Sequence, residues 1–480
     1  MVKKFKFSQK LKKIILGICI GTAILLIIGL FTYIYIVDTQ TLGRRISVYG
    51  TDVSVQTVEQ AVQTIRESFQ NRKVLFKEDG TDIYQTTLSN LGYDLDESFL
   101  RTQLQELQNT RKSEKRILPA QEDYFPAYQI VQNAEQEINI LQNSDINTKE
   151  RIESVNAAIQ YDQQQKKYIL IKDVQGNQID QTKFLNYIDE ILDSNFRLKL
   201  LGGDIQITID LNVYQQPVSV VSAEMEQKVT DLNSQLDKYR NTTVTYTFGS
   251  ETQVLDSSII ETWLQITDDA VAVDHNAVKT YIQELAAKYN TIYVPRTFHT
   301  SYGNDVTISN NEYGYQIDQE KELKQLLQDL SAGSAVSREP IYAYSAMQRN
   351  GKDDLAGSYI EVSLDNQHLW LYKDGTLITE TDIVSGTPKA GRETYRGAWP
   401  IPYKASPYNL TSEEYGYNVK VNYWMPFVYG QGLHDASWQS SFGGNRYKNG
   451  AGSHGCINLP TDQAAVIYNT IDGGYPIIIY

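Results

Sequence analysis

The sequence predicts a multidomain chain with an N-terminal transmembrane helix, two α+β modules and a C-terminal domain that is mostly β. Three observations lead to this fold class: a long apolar run near the N-terminus, an alternation of helical and strand-like segments through the middle, and closely spaced short strands from about residue 355. The chain has 480 residues. Because one domain usually holds roughly 100–200 residues, several folded units are expected.

The apolar run covers residues 14–37 and carries no charge. It is long enough to cross a hydrocarbon core of about 30 Å. Its bulky end, with Phe31 and Tyr33, differs from the small-residue site of a cleaved signal peptide. Residues 1–13 form a basic tail without acidic residues, and Asp38 follows the span. The positive-inside bias therefore predicts a single-pass protein of the cell membrane with a cytoplasmic N-terminus and an extracellular body. The lysines of the tail are Lys3, Lys4, Lys6, Lys10, Lys12 and Lys13.

Charge and cysteine content narrow the function classes. The formal net charge is −14 although the tail is basic, so the body is strongly acidic and nucleic acid is not expected as a partner. Cys19 lies in the apolar span and Cys456 near the C-terminus, and they are the two cysteines of the chain. They cannot pair within one molecule, so Cys456 is a free thiol. Such a thiol is either a reactive group or a buried core residue.

A pattern recurs four times between the span and about residue 350. A polar turn and an aliphatic or tyrosine residue lead to an aspartate, and a run with helical apolar spacing follows. The aspartate stands where a helix N-cap belongs. Strand-like stretches at residues 168–171, 205–209 and 243–248 separate these helices. The four aspartates are Asp96, Asp180, Asp274 and Asp318.

We interpret this region as two modules, residues 45–215 and 216–345, with a break near 215–222. It has no cluster of histidine, acid and thiol, so a binding or spacing role is expected. The last domain, residues 355–480, begins with a β-meander predicted at 359–364, 368–372 and 376–379. A loop at residues 386–397, a strand at 419–427 and a closing strand at 475–480 are also predicted.

Two of the five histidines, His434 and His454, stand close in sequence to Cys456. A nucleophilic cysteine needs a neighbouring base or cation, and the small residues at 450–456 would let backbone N–H groups point at a developing oxyanion. Zinc held by these three side chains is an alternative interpretation. A further interpretation is that the two histidines are core residues beside a buried thiol. We expect neither a metal nor a cofactor.

Residues 453–458 (SHGCIN), preceded by His434, resemble the signature of the YkuD-like L,D-transpeptidases. The resemblance extends through residues 432–438 and, less tightly, to 359–375. It departs from the family at residues 394–399, where the usual proline of a Thr-Pro loop is missing. The upstream modules are similar to the peptidoglycan-binding domains often placed between anchor and catalytic domain.

The resemblance implies a cysteine acyltransferase that organises the cell wall. Its partners would be peptidoglycan stem peptides, a donor tetrapeptide and an acceptor amine. Cys456 would attack the carbonyl between the third and fourth donor residues, release D-Ala and form a thioester, which the acceptor amine converts into a 3→3 cross-link. His434 would donate and accept the proton, oriented by the side chain or backbone carbonyl of Asp435. The backbone N–H groups of His454, Gly455 and Cys456 would form the oxyanion hole. The substrate pocket would be shaped by Ser453, Asn458, Trp424 and Met425.

Several other functions compete with this one. An L,D-carboxypeptidase would use the same thioester but pass it to water, and a wall-binding scaffold would use only the modules. A sortase needs an arginine after the nucleophile, and no arginine follows Cys456. Papain-like peptidases place the cysteine before the histidine, the reverse of the order here.

Overall fold

The structure, a computed structural model of the chain, describes residues 8–112 and 120–480. It divides into two compact units: Met1–Ala158 with Ile171–Ser222, and Ile159–Leu170 with Ala223–Tyr480. Lys3, Lys4 and Lys6 of the predicted basic tail lie outside the described residues.

Helices and strands alternate along the first part of the chain. In order they are α1 (Gln9–Gln40), β1 (Ile46–Val48), β2 (Thr51–Asp52), α2 (Val58–Gln70), β3 (Lys73–Glu78), β4 (Thr81–Thr87), β5 (Tyr93–Leu95), α3 (Glu97–Lys112), β6 (Glu122–Tyr124), β7 (Ile130–Gln132), α4 (Ala134–Gln142), α5 (Asp145–Thr148), β8 (Ala158–Asp162), β9 (Lys167–Ile171), α6 (Gln181–Leu198) and β10 (Ile205–Ile209).

The middle of the chain continues this alternation. Its elements are α7 (Ala223–Asn241), β11 (Thr243–Phe248), β12 (Glu251–Leu255), α8 (Ser257–Ile260), a 3-10 helix (Glu261–Trp263), β13 (Leu264–Ile266), β14 (Val271–Val273), α9 (His275–Tyr289), β15 (Arg296–His299), β16 (Asp305–Ile308), β17 (Gln316–Ile317), α10 (Gln319–Ala332), β18 (Ala335–Arg338) and β19 (Tyr342–Tyr344).

The last part is mostly strands. They are β20 (Tyr359–Ser363), β21 (His368–Lys373), β22 (Thr376–Asp382), β23 (Gly397–Ile401), β24 (Tyr408–Ser412), β25 (Tyr417–Val421), β26 (Trp424–Val428), β27 (Gln431–Asp435), β28 (Ile457–Leu459) and β29 (Tyr475–Ile479), with one helix, α11 (Thr461–Thr470).

The long helix α1 begins the first unit. Ser8 caps its N-terminus, and its length and apolar composition are sufficient to cross a membrane. Most large side chains between residues 14 and 36 are exposed, although they are apolar. Apolar side chains without protein neighbours suit a lipid environment, so the helix is compatible with the predicted single-pass anchor.

Both units contain a three-stranded sheet with the same plan. The central strand, β3 or β11, pairs antiparallel with the next strand in the chain. It pairs parallel with a strand that follows a later helix, β10 or β18. Buried aromatics cover these sheets: Phe76 lies 6.0 Å from Phe184, and Phe248 stacks on Tyr289 at 3.7 Å.

All four predicted aspartate caps are confirmed. Each carboxylate accepts a backbone N–H from the first turn of its helix, which satisfies a donor that has no partner within the helix. The distances from the carboxylate Oδ1 to the backbone nitrogen are 2.8 Å for Asp96 and Phe99, 3.1 Å for Asp180 and Lys183, 2.8 Å for Asp274 and Asn276, and 3.1 Å for Asp318 and Lys321.

The C-terminal domain consists of two sheets and a hairpin. The larger sheet has the order β22-β21-β20-β29-β23, the smaller one is β26-β27-β28, and β24 and β25 pair with each other. Their apolar faces share one core with α11, which includes Trp399, Leu433 and Ile467. The predicted meander is present as β20, β21 and β22, with the last strand extended to Asp382.

The single strand predicted at residues 419–427 is wrong, because the structure has two strands there. β25 ends at Val421 and β26 begins at Trp424. Between them, the backbone N–H groups of Asn422 and Tyr423 donate to the Asp435 carboxylate at 2.8 and 2.9 Å instead of to a neighbouring strand.

The predicted fold class is confirmed: a multidomain chain with an N-terminal apolar helix, an α+β middle region and a mostly-β C-terminal domain. The boundaries 45–215, 216–345 and 355–480 stay predictions.

Candidate active site

The smaller sheet brings His434 and Cys456 to one face. β27 and β28 run parallel, with Leu433 opposite Ile457 and His434 opposite Asn458. Because side chains alternate between the two faces of a strand, Leu433 and Ile457 enter the core while His434 and Asn458 share the other face. Cys456 precedes β28 by one residue and follows the same alternation, so its thiol lies on the His434 face.

His434 is buried, and its ring orientation is fixed. It is 3% exposed, and its Nδ1 lies 2.9 Å from the backbone carbonyl oxygen of Asp435. A carbonyl can only accept, so Nδ1 carries the proton and Nε2 is left with a lone pair. Burial lowers the pKa of His434, opposed by the hydrogen bond to Asp435 and by the charge of Asp435. The side chain therefore rests as a neutral base.

The backbone carbonyl of Asp435 contacts His434, and its side-chain carboxylate binds a different part of the domain. Its carboxylate accepts the backbone N–H groups of Asn422 and Tyr423 and, at 2.9 Å, the side-chain amide of Asn422. Of the two alternatives that the sequence left open, the carbonyl is the group that contacts the imidazole. The carboxylate holds the break between β25 and β26 against β27.

Cys456 is half-buried, and burial raises the pKa of its thiol to about 11, opposed by a hydrogen bond from the backbone of Gly432. A raised thiol pKa and a lowered imidazole pKa both favour the uncharged forms. The resting site is therefore a neutral thiol and a neutral imidazole rather than an ion pair. Attack by the sulfur then needs a base that removes the proton as the bond forms.

The loop before Cys456 is held by Ser453. Its hydroxyl donates to the carbonyl oxygen of Cys456 at 2.5 Å and accepts the backbone N–H of Gly455 at 3.0 Å. The N–H of Gly455 thus already has an acceptor, and its donation to an oxyanion stays a prediction. Within residues 8–112 and 120–480, no acceptor takes the backbone N–H of His454 or Cys456, so these two amides remain candidates.

Gly455 also meets residues that the sequence analysis missed. Its φ is +123°, and a Cβ there would lie 2.2 Å from Gln431 Nε2, so a larger residue is both strained and obstructed. Thr394 Oγ1 donates to the Gly455 carbonyl at 2.8 Å and accepts the Gly386 N–H at 2.9 Å. Thr394 belongs to the loop in which the family resemblance departs from its pattern, and that resemblance was the available signal.

The His454 side chain packs against two tyrosines. Its ring stacks on Tyr415 at 4.2 Å and on Tyr417 at 5.7 Å, both near or on the β24–β25 hairpin. Burial and then the charge of Arg392 lower the pKa of His454. In the part of the chain that the structure describes, no group of three His, Cys, Asp or Glu residues could hold a metal ion.

Of the predicted pocket residues, Trp424 and Asn458 lie on the side of His434, whereas Met425 lies in the core. Trp424 pairs with His434 across β26 and β27, with ring centroids 6.1 Å apart. The prediction that Met425 lines the pocket is wrong, because alternation turns this neighbour of Trp424 into the core, where it is fully buried. Asn458 is buried, and its Oδ1 has no hydrogen-bond partner among the described residues. Trp438, missed as a site residue, lies 5.8 Å from the His434 ring and is 52% exposed.

Comparisons with known protein families match two stretches of the chain. Residues 357–479 match the YkuD family, the L,D-transpeptidase catalytic domain. Residues 218–338 match the PG_binding_4 family of proposed peptidoglycan-binding domains. No curated protein sequence matches the chain.

The solved structures that are similar to this chain include three L,D-transpeptidases. An L,D-transpeptidase mutant from Enterococcus faecium is 33% identical over 52% of this chain and 98% of its own, with a TM-score of 0.46. The catalytic domain of the E. faecium enzyme acylated by ertapenem is 40% identical over 26% and 97%, with a TM-score of 0.24. An L,D-transpeptidase from Mycobacterium smegmatis is 27% identical over 26% and 59%, with a TM-score of 0.23.

Proposed function

Because the chain belongs to the YkuD family of L,D-transpeptidases, we propose that it forms 3→3 peptidoglycan cross-links through a thioester on Cys456. The observation that carries this proposal is the common face of β27 and β28. There a neutral imidazole, with its Nε2 lone pair available, shares a surface with a half-buried thiol.

In the first half-reaction the Cys456 sulfur attacks the carbonyl carbon of the third donor residue while His434 Nε2 accepts the thiol proton. The backbone N–H groups of His454 and Cys456 stabilise the oxyanion. The tetrahedral adduct collapses when His434 returns the proton to the D-Ala nitrogen, which breaks the peptide bond and leaves a thioester.

In the second half-reaction an acceptor amine attacks the thioester carbonyl. His434 takes the proton that the amine loses and returns it to the departing sulfur. The new amide bond is the cross-link, and the free thiol of Cys456 is restored. Atoms and charge balance without a metal or another co-reactant.

We assign the remaining predicted residues to supporting roles. Ser453 holds the loop that carries the nucleophile, and Trp424 forms a wall beside His434. The Asn458 Oδ1 is buried without a partner on the face of His434. A buried oxygen without a donor is costly, so an N–H of the bound donor peptide is the group that we expect it to accept.

We also propose that residues 216–345 bind peptidoglycan and that residues 45–215 are a second module of the same kind. The common plan of their sheets supports this: each has a central strand with one antiparallel and one parallel partner. The third domain, residues 355–480, would then be the catalytic one. Helix α1, with Lys10, Lys12 and Lys13 at its start, would anchor the chain with its N-terminus in the cytoplasm.

The test uses the purified full-length chain and its Cys456→Ala variant, each incubated with a disaccharide tetrapeptide that ends in D-Ala. Mass spectrometry follows the protein and the products. We expect a cross-linked dimer with loss of one D-Ala from the wild type and no reaction from the variant. A shortened monomer alone would identify an L,D-carboxypeptidase, and an unchanged substrate would favour a wall-binding scaffold.

A further inference from the structure

The chemistry of the two half-reactions determines on which side of the Cys456 sulfur each substrate group lies. His434 Nε2 has to reach both the departing amine and the incoming amine, so these two groups share the His434 side of the sulfur. The acyl part of the donor, which stays on the sulfur between the two steps, must leave the reacting carbon toward the other side.

Strand β27 shows where the other side is. His434 stands near its C-terminal end, and the parallel register of Leu433 with Ile457 places Gly432 beside Cys456. From His434 toward the N-terminal end of β27, the strand reaches Gln431 and then the turn between β26 and β27. This turn contains Tyr429. At about 3.3 Å per residue, Tyr429 lies roughly 10 Å along the chain from Gly432.

Two exposed tyrosines lie at this end. Tyr395 is 47% exposed and Tyr429 is 76% exposed, and their rings meet edge to face with centroids 5.6 Å apart. Large aromatic side chains usually bury most of their surface in a core. An exposed pair beside a nucleophile is therefore available to cover a ligand.

The pair is held in place by Gln431, the first residue of β27. The Tyr395 N–H donates to Gln431 Oε1 at 3.0 Å, and Gln431 Nε2 donates to the Glu393 carbonyl at 2.8 Å. The same Gln431 amide occupies the space that a Cβ on Gly455 would fill. Tyr429 has φ +44°, a left-handed conformation that is unfavourable for a residue with a side chain. The structure thus orders both tyrosines without burying them.

We propose that Tyr395 and Tyr429 form the subsite for the acyl part of the donor stem, a specificity-determining surface that packs on the peptide planes and aliphatic groups next to the reacting carbonyl. The inference rests on the proposed function. The acceptor strand is not its occupant, because the acceptor amine shares the side of His434.

The test compares Tyr395→Ala and Tyr429→Ala in the full-length chain with a control, Leu377→Ala, which also truncates an exposed large side chain. Leu377 is 44% exposed and lies on β22, an edge strand of the larger sheet, outside the site and both proposed binding modules. D-Ala release is measured over a series of donor concentrations at saturating acceptor, and over a series of acceptor concentrations at saturating donor. Alkylation of Cys456 by iodoacetamide, which is too small to reach the tyrosine pair, reports whether each variant keeps the site intact.

We expect each alanine variant to lower kcat/KM for the donor roughly tenfold, the usual effect of removing an aromatic contact. The KM for the acceptor and the alkylation rate should stay at the wild-type values, and Tyr429→Phe, which keeps the ring, should keep most of the activity. A higher acceptor KM with unchanged donor kcat/KM would overturn the inference, as would variants no weaker than Leu377→Ala. If the wild type releases no D-Ala, the proposed function itself fails and the subsite with it.

Discussion

The neutral resting state of the site predicts how Cys456 responds to pH. Burial raises the pKa of its thiol from the ordinary 9.0 to about 11. Two pKa units correspond to a thiolate fraction about one hundred times smaller at neutral pH than in an exposed cysteine. Because iodoacetamide reacts with the thiolate, alkylation of Cys456 at pH 7 should be slower than that of a model thiol by about the same factor.

The assay follows alkylation by mass spectrometry in a Cys19→Ala chain, so that Cys456 is the one remaining thiol. We expect the rate to rise about tenfold per pH unit from 6 to 10, without a plateau. The same profile should appear in His434→Gln, because burial and not an imidazolium sets the thiol pKa. A plateau below pH 8 in the wild type that His434→Gln removes would mean a preformed thiolate–imidazolium pair and would refute the neutral resting state of the site.

Three further predictions concern His434, Asp435 and Glu137. His434→Gln should lower the rate of D-Ala release by about 10²–10⁴, the range of general acid–base catalysis. It should slow acylation by a carbapenem less, because ring strain helps to expel that nitrogen, and mass spectrometry can compare the two. Asp435→Ala should lower the free energy of unfolding by about 1–3 kcal/mol in urea titrations, because the N–H groups of Asn422 and Tyr423 lose their acceptor. Asp435→Asn, which keeps the backbone carbonyl that contacts His434, should retain kcat within tenfold; a loss as large as that of His434→Gln would assign the orienting role to the carboxylate. Burial and the neighbouring Asp189 charge raise the pKa of Glu137 from 4.5 to about 7. The folded state therefore binds the Glu137 proton more tightly than the unfolded state does. Up to about 3 kcal/mol of the free energy of unfolding should be lost as pH rises from 4.5 through 7. Glu137→Gln should remove that part of the pH dependence in thermal unfolding, and an unchanged profile would contradict it.

The sequence was sufficient for features that depend on local chemistry. The aspartate caps follow from a carboxylate placed one residue before a helix, and the structure has all four. The proximity of His434 and Cys456 followed from a short motif, because two adjacent parallel strands carry it with a register that places both on one face.

Features that depend on distant residues were not predictable in the same way. Trp424 and Met425 are neighbours in sequence, and only the pairing of β26 with β27 determines which one faces His434. The break after Val421 depends on a carboxylate on another strand. The state of the Gly455 amide depends on a hydroxyl two residues away whose rotation the sequence does not specify.

The lowered pKa of His434 has opposite effects on the two proton transfers that the proposed reaction assigns to it. It makes the imidazole a weaker base toward the Cys456 thiol, whose own raised pKa adds to the barrier for attack. Once protonated, however, the same imidazolium is a stronger acid toward the departing amine, and an amide nitrogen cannot leave without a proton. In the proposed reaction, burial would thus slow the formation of the nucleophile and favour expulsion of D-Ala, the step that amide chemistry makes hardest. A site exposed to water would have a more reactive thiol and a weaker acid, an arrangement suited to esters and thioesters and less suited to peptides.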